Sequence, residues 1–302
     1  MPSLEYIKHK RIDFDKWDTA IFSSDLPLVF AQSFYLNATC PHWDALILGD
    51  YESVFPITYK TRFGFRYLPQ PPFTSQLGAF GKVDQDVEKV FHDYILKTFK
   101  LIEVELNAGN RLKSEFIVPK KTYIIDYKSD FKFNQNTKRN ISKALENELR
   151  VIEVPSNEAL ILSKKIINPF LRKEVALSKE TVLCLDRLLV NAIAEGCLKT
   201  FKVADNKNGI RALAHFICNG KHALYLKGAL VDKGDKSGSM HLLLSHAISV
   251  YKDQSIFFDF GGGSGSKGLA GFYEGLGGVP MEYSFLRVNR LPRLIKFLKS
   301  KK

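Results

Sequence analysis

Leu198 to Gly228 reads LKTFKVADNKNGIRALAHFICNGKHALYLKG, and it holds three β-prone runs in succession. Leu198–Ala204, Ile210–Cys218 and His222–Gly228 are the runs; Asn206–Gly209 and Asn219-Gly220 separate them, the second being a two-residue hairpin signal. Upstream, apolar residues at helical spacing predict helices over 157–171 and 179–195, the latter stopped by Gly196. Downstream follow a helix over Met240–Tyr251, a buried strand Ile256–Phe260, a short helix Leu269–Leu276 and a last strand Met281–Val288. Helix, helix, three-strand meander, helix, strand, helix, strand predicts a mixed α/β fold: a mixed, mostly antiparallel sheet flanked by helices.

The first part of the chain has a similar outline. Phe30–Ala38 reads as a short helix, and Trp43–Gly49 and Ser53–Tyr59 as strands joined at Gly49-Asp50. A Pro-rich loop (68–73), a helix over Asp86–Leu101 and strands Ile102–Leu106 and Thr122–Tyr127 complete it. Asn136 or Thr137 can cap the next helix, lined by Ile141, Leu145 and Leu149, before a strand at Val151–Val154. The reading is two domains, 1–135 and 136–302, alike in outline without a residue-level repeat.

Composition is that of a folded protein, 45% hydrophobic and 25% charged over 302 residues. No run approaches the roughly 18 apolar residues that span a bilayer. Met1–Trp17 mixes Lys8, Lys10 and Arg11 with Glu5, Asp13 and Asp15, unlike a signal or transit peptide, which predicts a cytoplasmic protein. Cys40, Cys184, Cys197 and Cys218 show no paired spacing, so buried reduced thiols are expected and no metal site. The net charge is +12, and 287–302 carries Arg287, Arg290, Arg293, Lys296, Lys299, Lys301 and Lys302 without an acid. That segment suits a polyanion such as RNA or an anionic membrane surface, and equally a solvated helix with Leu291, Leu294, Ile295 and Leu298 as its apolar stripe.

Several residues have chemistry that a site can use. Asp259 ends a buried strand and is a candidate base, or a carboxylate that satisfies the amides of the glycine-rich turn after it. Tyr225 and Lys227 lie two apart on one strand and so share a face, and a lysine there is expensive to bury away from an anion. His215 reads as a core histidine, and His241 opens a helix. Arg139 and Lys143, four apart, form one cationic helix face, to which Lys60 and Arg62 from the first domain can add. Gly261–Gly268 (GGGSGSKG) departs from a nucleotide P-loop at Ser266 and Gly268.

Three segments stand in order: Trp43–Leu46 through Phe55-Pro56 to Gly64, Pro71-Pro72 and Gln76–Gly78; Lys138–Ala144 (KRNISKA); and Phe258-Asp259-Phe260-Gly261-Gly262 with Gly268, Phe272 and Gly277-Gly278. Together they resemble the bacterial Fem-type (FemAB-like) peptidoglycan bridge aminoacyltransferases, within the tandem-GNAT acyltransferases. The resemblance implies two tandem GNAT-like domains and a substrate cleft between halves. It also implies transfer of an amino acid from aminoacyl-tRNA to the amine of a peptidoglycan precursor in building the cell wall. Asp259, Tyr273 and Lys227 are then the candidate catalytic residues, and Tyr225, Phe260, Gly261, Gly262 and Phe272, with Arg139, Lys143, Lys60 and Arg62, the substrate-binding ones. The family has Phe-Lys where this chain has Phe272-Tyr273, which bears on the donor. Related tandem-GNAT proteins use acyl-CoA, whose pyrophosphate would meet the loop Asp232–Ser239; there Lys233 and Gly238 fit the pattern, Ser239 follows, and Lys236 replaces a glycine. Aminoacyl-tRNA or acetyl-CoA as donor substrate, with no required cofactor, is the expectation. A CoA-dependent N-acyltransferase, and a non-catalytic binding protein for an anionic glycolipid or RNA, are the alternatives.

Overall fold

The computed structural model describes residues 3–62, 64–263 and 265–292. The basic segment from Arg293 onward, with most of its apolar stripe, lies outside the described residues. The chain forms two compact units: Met1–Lys120 with Glu282–Lys302, and Lys121–Met281. It crosses from first to second at 120/121 and returns at 281/282, where the sequence reading set one boundary between 135 and 136.

The first unit opens with β1 (Leu4–Ile7), α1 (Phe14–Ser23) and α2 (Ser33–Thr39). Asp13 caps α1 by accepting from the Lys16 amide, and Trp17, Ala20 and Ile21 form its buried face. β2 (Asp44–Leu48) and β3 (Ser53–Ile57) follow, then the hairpin of β4 (Lys60–Arg62) and β5 (Phe65–Pro69), and β6 (Phe80–Gly81). α3 (Gln85–Thr98), β7 (Leu101–Leu106) and the beginning of β8 (Ile117–Asp126) come next. β1-β2-β3-β6 form one sheet. β5 lies parallel to β7, which pairs antiparallel with β14 (Val279–Asn289) from Ser284↔Leu106 to Asn289↔Leu101.

The second unit carries the fold-deciding stretch. α4 (Gln135–Glu146) is capped by Asn134, two and three residues before the candidates Asn136 and Thr137. Its buried residues are Thr137 and Ala144; Leu145 is 58% exposed, because the helix rotates its small residues inward. β9 (Arg150–Val154) leads to α5 (Ser156–Leu162) and α6 (Asn168–Lys173), which run through a π-turn at Ser163–Ile167, and then α7 (Lys179–Ala194). β10 (Leu198–Ala204), β11 (Ile210–Asn219), β12 (His222–Leu230), α8 (Ser239–Tyr251), β13 (Phe257–Gly263) and α9 (Lys267–Gly275) follow as the pattern predicts. The strand order is β8-β13-β12-β11-β10-β9, antiparallel throughout except for β12 and β13, which run parallel. This is the mixed, mostly antiparallel α/β sheet expected.

Side-chain alternation gives the sheet two faces. One carries Phe201, Ala214, Phe216, Ala223, Phe258 and Phe260 into a core with Leu243, Leu244 and Ile248 of α8, Ala144 of α4 and Tyr273 of α9. The other receives α5, the π-turn and α7.

Candidate functional site

The three-strand meander does not alternate evenly. His215 faces Lys227 but Phe216 faces Tyr225, so Leu226 is an extra residue in β12, a bulge. A bulge resets alternation by one place, and Tyr225 and Lys227 therefore lie on opposite faces, not on a shared one. Tyr225 points to the aromatic core face, its ring 5.5 Å from that of Phe216. Lys227 stands on the other face in line with His215 and Thr200. Burial lowers the Lys227 amine, and it pushes His215 down to about 3, so that this fully buried imidazole is neutral and its Nδ1 bonds Thr200 Oγ1 at 2.8 Å.

Asp259 belongs to the Lys227 face as well, since its neighbours Phe258 and Phe260 both point to the core. It is fully buried. Its Oδ1 accepts from the Gly261 amide at 2.8 Å and from Thr122 Oγ1 at 3.2 Å, and Oδ2 lies 3.4 Å from His222 Nε2. His222 in turn stacks on Phe257 at 4.8 Å. The pairing with β8 jumps here from Asp259↔Ile124 to Gly263↔Thr122, so Phe260, Gly261 and Gly262 stand opposite the single residue Tyr123. Asp259 thus ties together the two sides of a glycine bulge. Gly261 has φ +71°, and a Cβ on it would sit 2.9 Å from the Tyr225 carbonyl oxygen, so only glycine fits. The carboxylate has the geometry of the amide-satisfying reading.

Phe260, Tyr273, Phe272 and His241 meet on the opposite side, around the start of α8. Tyr273 stacks on Phe260 at 4.4 Å, Phe272 lies 5.9 Å from Tyr273, and His241 meets the Phe272 ring edge-on at 4.8 Å. Burial raises both the Tyr225 and Tyr273 phenols above their ordinary range and lowers the half-buried His241 imidazole. The two tyrosines are therefore protonated at neutral pH and the histidine is not. Phenolic O–H groups and an unprotonated imidazole are the donors and the acceptor that acyl transfer uses.

The loop before α8 is filled by its own side chain. Asp235 Oδ1 accepts from the Ser237 amide at 2.8 Å, and Oδ2 from the Ser237 and Ser239 hydroxyls, both at 2.9 Å. Burial works to raise this carboxyl, yet those bonds hold it below its ordinary range. Gly238 (φ +84°) packs so closely on α4 that a Cβ would sit 2.1 Å from the Asn140 carbonyl oxygen. Lys233 pairs with Glu174 at 2.6 Å. A carboxylate thus stands at the helix start, where the CoA alternative would place a phosphate.

The cationic candidates are surface residues. Arg139 and Lys143 are exposed on α4, Arg139 bonding Asn136 at 3.3 Å. Lys60 is exposed on β4; Arg62 ends that strand, and its side chain lies outside the described residues. In the first unit the Trp43-Asp44 and Gln76–Gly78 segments serve packing. Asp44 accepts from Tyr6 at 2.6 Å, Lys8 at 3.1 Å and the His9 amide at 2.9 Å, and Gln76 Oε1 from the Ala108 amide at 2.8 Å. His222, Thr122 and Asp235 escaped the sequence reading. Asp235 followed by Ser237 is an Asx-turn signal that points to it; the His222–Asp259 contact joins residues far apart in sequence and has no local sign.

No protein-family model and no curated protein matches the sequence. Among solved structures the chain is similar to FemX, at 11% identity and a TM-score of 0.65, over 99% of this chain and 100% of that one. It is similar to the C-terminal domain of a putative lysylphosphatidylglycerol synthetase from Agrobacterium fabrum, at 8% identity and a TM-score of 0.59, over 96% and 95% of the two chains. A tandem GNAT protein from the clavulanic acid biosynthesis pathway is similar at 8% identity and a TM-score of 0.51, over 96% and 99%. At such identities the likeness is one of fold. The chain has a Fem-like tandem-GNAT fold, and no helix among the described residues is long and apolar enough to cross a membrane.

Proposed function

We propose that this chain is an acyltransferase that moves an aminoacyl group from a tRNA ester to an amine of a cell-envelope precursor. The observation that carries the reading is the group at the start of α8, where Tyr273 stacks on Phe260 at 4.4 Å and His241, lowered by burial, meets the Phe272 ring edge-on at 4.8 Å. The amine nitrogen attacks the acyl carbonyl carbon, a C–N bond forms and the C–O bond to the carrier breaks. His241 takes the amine proton and returns it to the leaving oxygen. The phenols donate to the developing oxyanion, Tyr273 doing with a neutral donor what the family's lysine would do with a charge. Asp259 acts through Gly261 as a positioning residue, and Lys227 supports the opposite face.

The fold shared with FemX supports the class of reaction, and the Asp235-filled loop supports an aminoacyl ester over acetyl-CoA, whose pyrophosphate needs an open helix start. Incubating the purified protein with charged tRNA and a UDP-linked precursor, and in parallel with acetyl-CoA, tests this by the mass of the product. Aminoacyl transfer is expected. Transfer from acetyl-CoA alone would replace the donor, and no transfer from either would replace the enzyme with a binding protein.

A further inference from the structure

Residues 53–83 carry Lys60, Arg62, Arg66 and Lys82 and no Asp or Glu. The densest part is the β4–β5 hairpin of the first unit, where Tyr59-Lys60-Thr61-Arg62-Phe63-Gly64-Phe65-Arg66-Tyr67 interleaves cations with rings. β4 stands at the edge of its sheet. Lys60 faces Tyr67 across the pair, and Phe65 precedes Tyr67 by two residues, so these three share a side. Lys60 is exposed, and Phe65 and Tyr67 are partly exposed. Lys100 Nζ, also exposed, lies 5.7 Å from the centre of the Phe65 ring. On the reverse side the Arg66 guanidinium lies 3.8 Å over the Tyr59 ring.

Acids do not offset the charge of the Lys60 side. The acid that β7 places beside the hairpin is Glu103, opposite Pro69, and it faces Arg287 across the β7–β14 pair. Asp44 is buried under the reverse side, where it accepts from Tyr6 and Lys8 and lies 3.7 Å from Arg66. An acidic protein would use the cations and leave the rings idle. A bilayer takes a protruding apolar wedge, and among the described residues of the hairpin no large hydrophobic side chain is strongly exposed. Unpaired nucleotides use both features, with bases on the ring faces and phosphates on the lysines.

We propose that the side of the β4–β5 hairpin formed by Lys60, Phe65, Tyr67 and Lys100 binds single-stranded RNA. The proposal rests on the tRNA donor above and names the part of this chain that holds an unpaired stretch of it. The test is fluorescence anisotropy of the full chain with a labelled single-stranded RNA of about ten nucleotides, and with the same RNA as a duplex. Tighter binding of the single strand, weakened by salt, is expected. Lys60→Gln with Lys100→Gln should weaken it about tenfold and lower the salt slope by about 1.4, at roughly 0.7 per phosphate contact. Tyr67→Leu should weaken it about tenfold at an unchanged slope. The lysine variant alters exposed side chains only, so its circular dichroism should match the parent's. Equal binding of strand and duplex, or a lysine variant that binds as the parent does, would overturn the proposal. Single-strand binding without transfer from charged tRNA would remove the reaction and keep the contact. Transfer by a chain whose lysine variant binds RNA normally would do the reverse.

Discussion

The two faces of the second unit's sheet divide polar chemistry in an unexpected way. The face toward α5 and α7 holds Asp259 and Lys227, which look reactive in sequence, together with His215 and His222, and it seals Asp259, His215 and His222 completely. The face toward α4, α8 and α9 is lined with aromatics, and its useful polar groups are two phenols and the half-exposed His241. Residue type alone therefore does not tell the two sides apart. A carboxylate with no exposure and two hydrogen bonds to its own chain is a structural tie; a tyrosine with a raised phenol pKa is a better candidate for work on a substrate.

That division can be broken by substitution. The largest effect is expected from Asp259→Ala, which takes a buried acceptor away from the Gly261 amide, the Thr122 hydroxyl and the His222 contact and should remove about 3–5 kcal/mol of unfolding free energy in urea. A small loss would show the bulge to be self-supporting. Next comes Tyr273→Phe, for which transfer should fall by about 100-fold with Tm unchanged; equal rates would take the phenol out of the reaction.

His215 gives a third effect, read against pH. Its folded value is lowered to about 3, so below the unfolded value of about 6.5 the unfolded chain holds one more proton and stability falls with falling pH. Between pH 6.5 and 5 that amounts to about 2 kcal/mol. His215→Gln should abolish this part of the slope, and a slope left intact would assign it to other groups. The smallest effect is that of Asp235→Ala. The carboxylate is partly exposed and screened, so the loss should stay below about 1 kcal/mol, and the emptied helix start should gain affinity for inorganic phosphate in calorimetry.

The second unit was legible in sequence because each of its strands is one apolar run bounded by a turn signal, and Asn219-Gly220 fixes the β11–β12 hairpin. The first unit was legible only in part. β1, β4, β5 and β6 are four short strands of two to five residues, below the length at which alternation shows, and α1 lies in a stretch whose charges mask its apolar side. At the site the aromatic members Phe260, Phe272 and Tyr273 were visible through their segment. The faces were not, because one extra residue at Leu226 inverts the side on which Lys227 emerges, and nothing local in the sequence marks a bulge of that kind.

The last strand, β14, pairs with β7 of the first unit after 161 residues of the second have intervened, from Lys121 to Met281. A ribosome making this chain releases everything the second unit needs while β7 still lacks its partner. The usual order of synthesis, in which the amino-terminal body matures first, is reversed. A chain truncated after residue 281 would carry the whole second body tethered to a first one with an open sheet edge at β7, the form most in need of a chaperone.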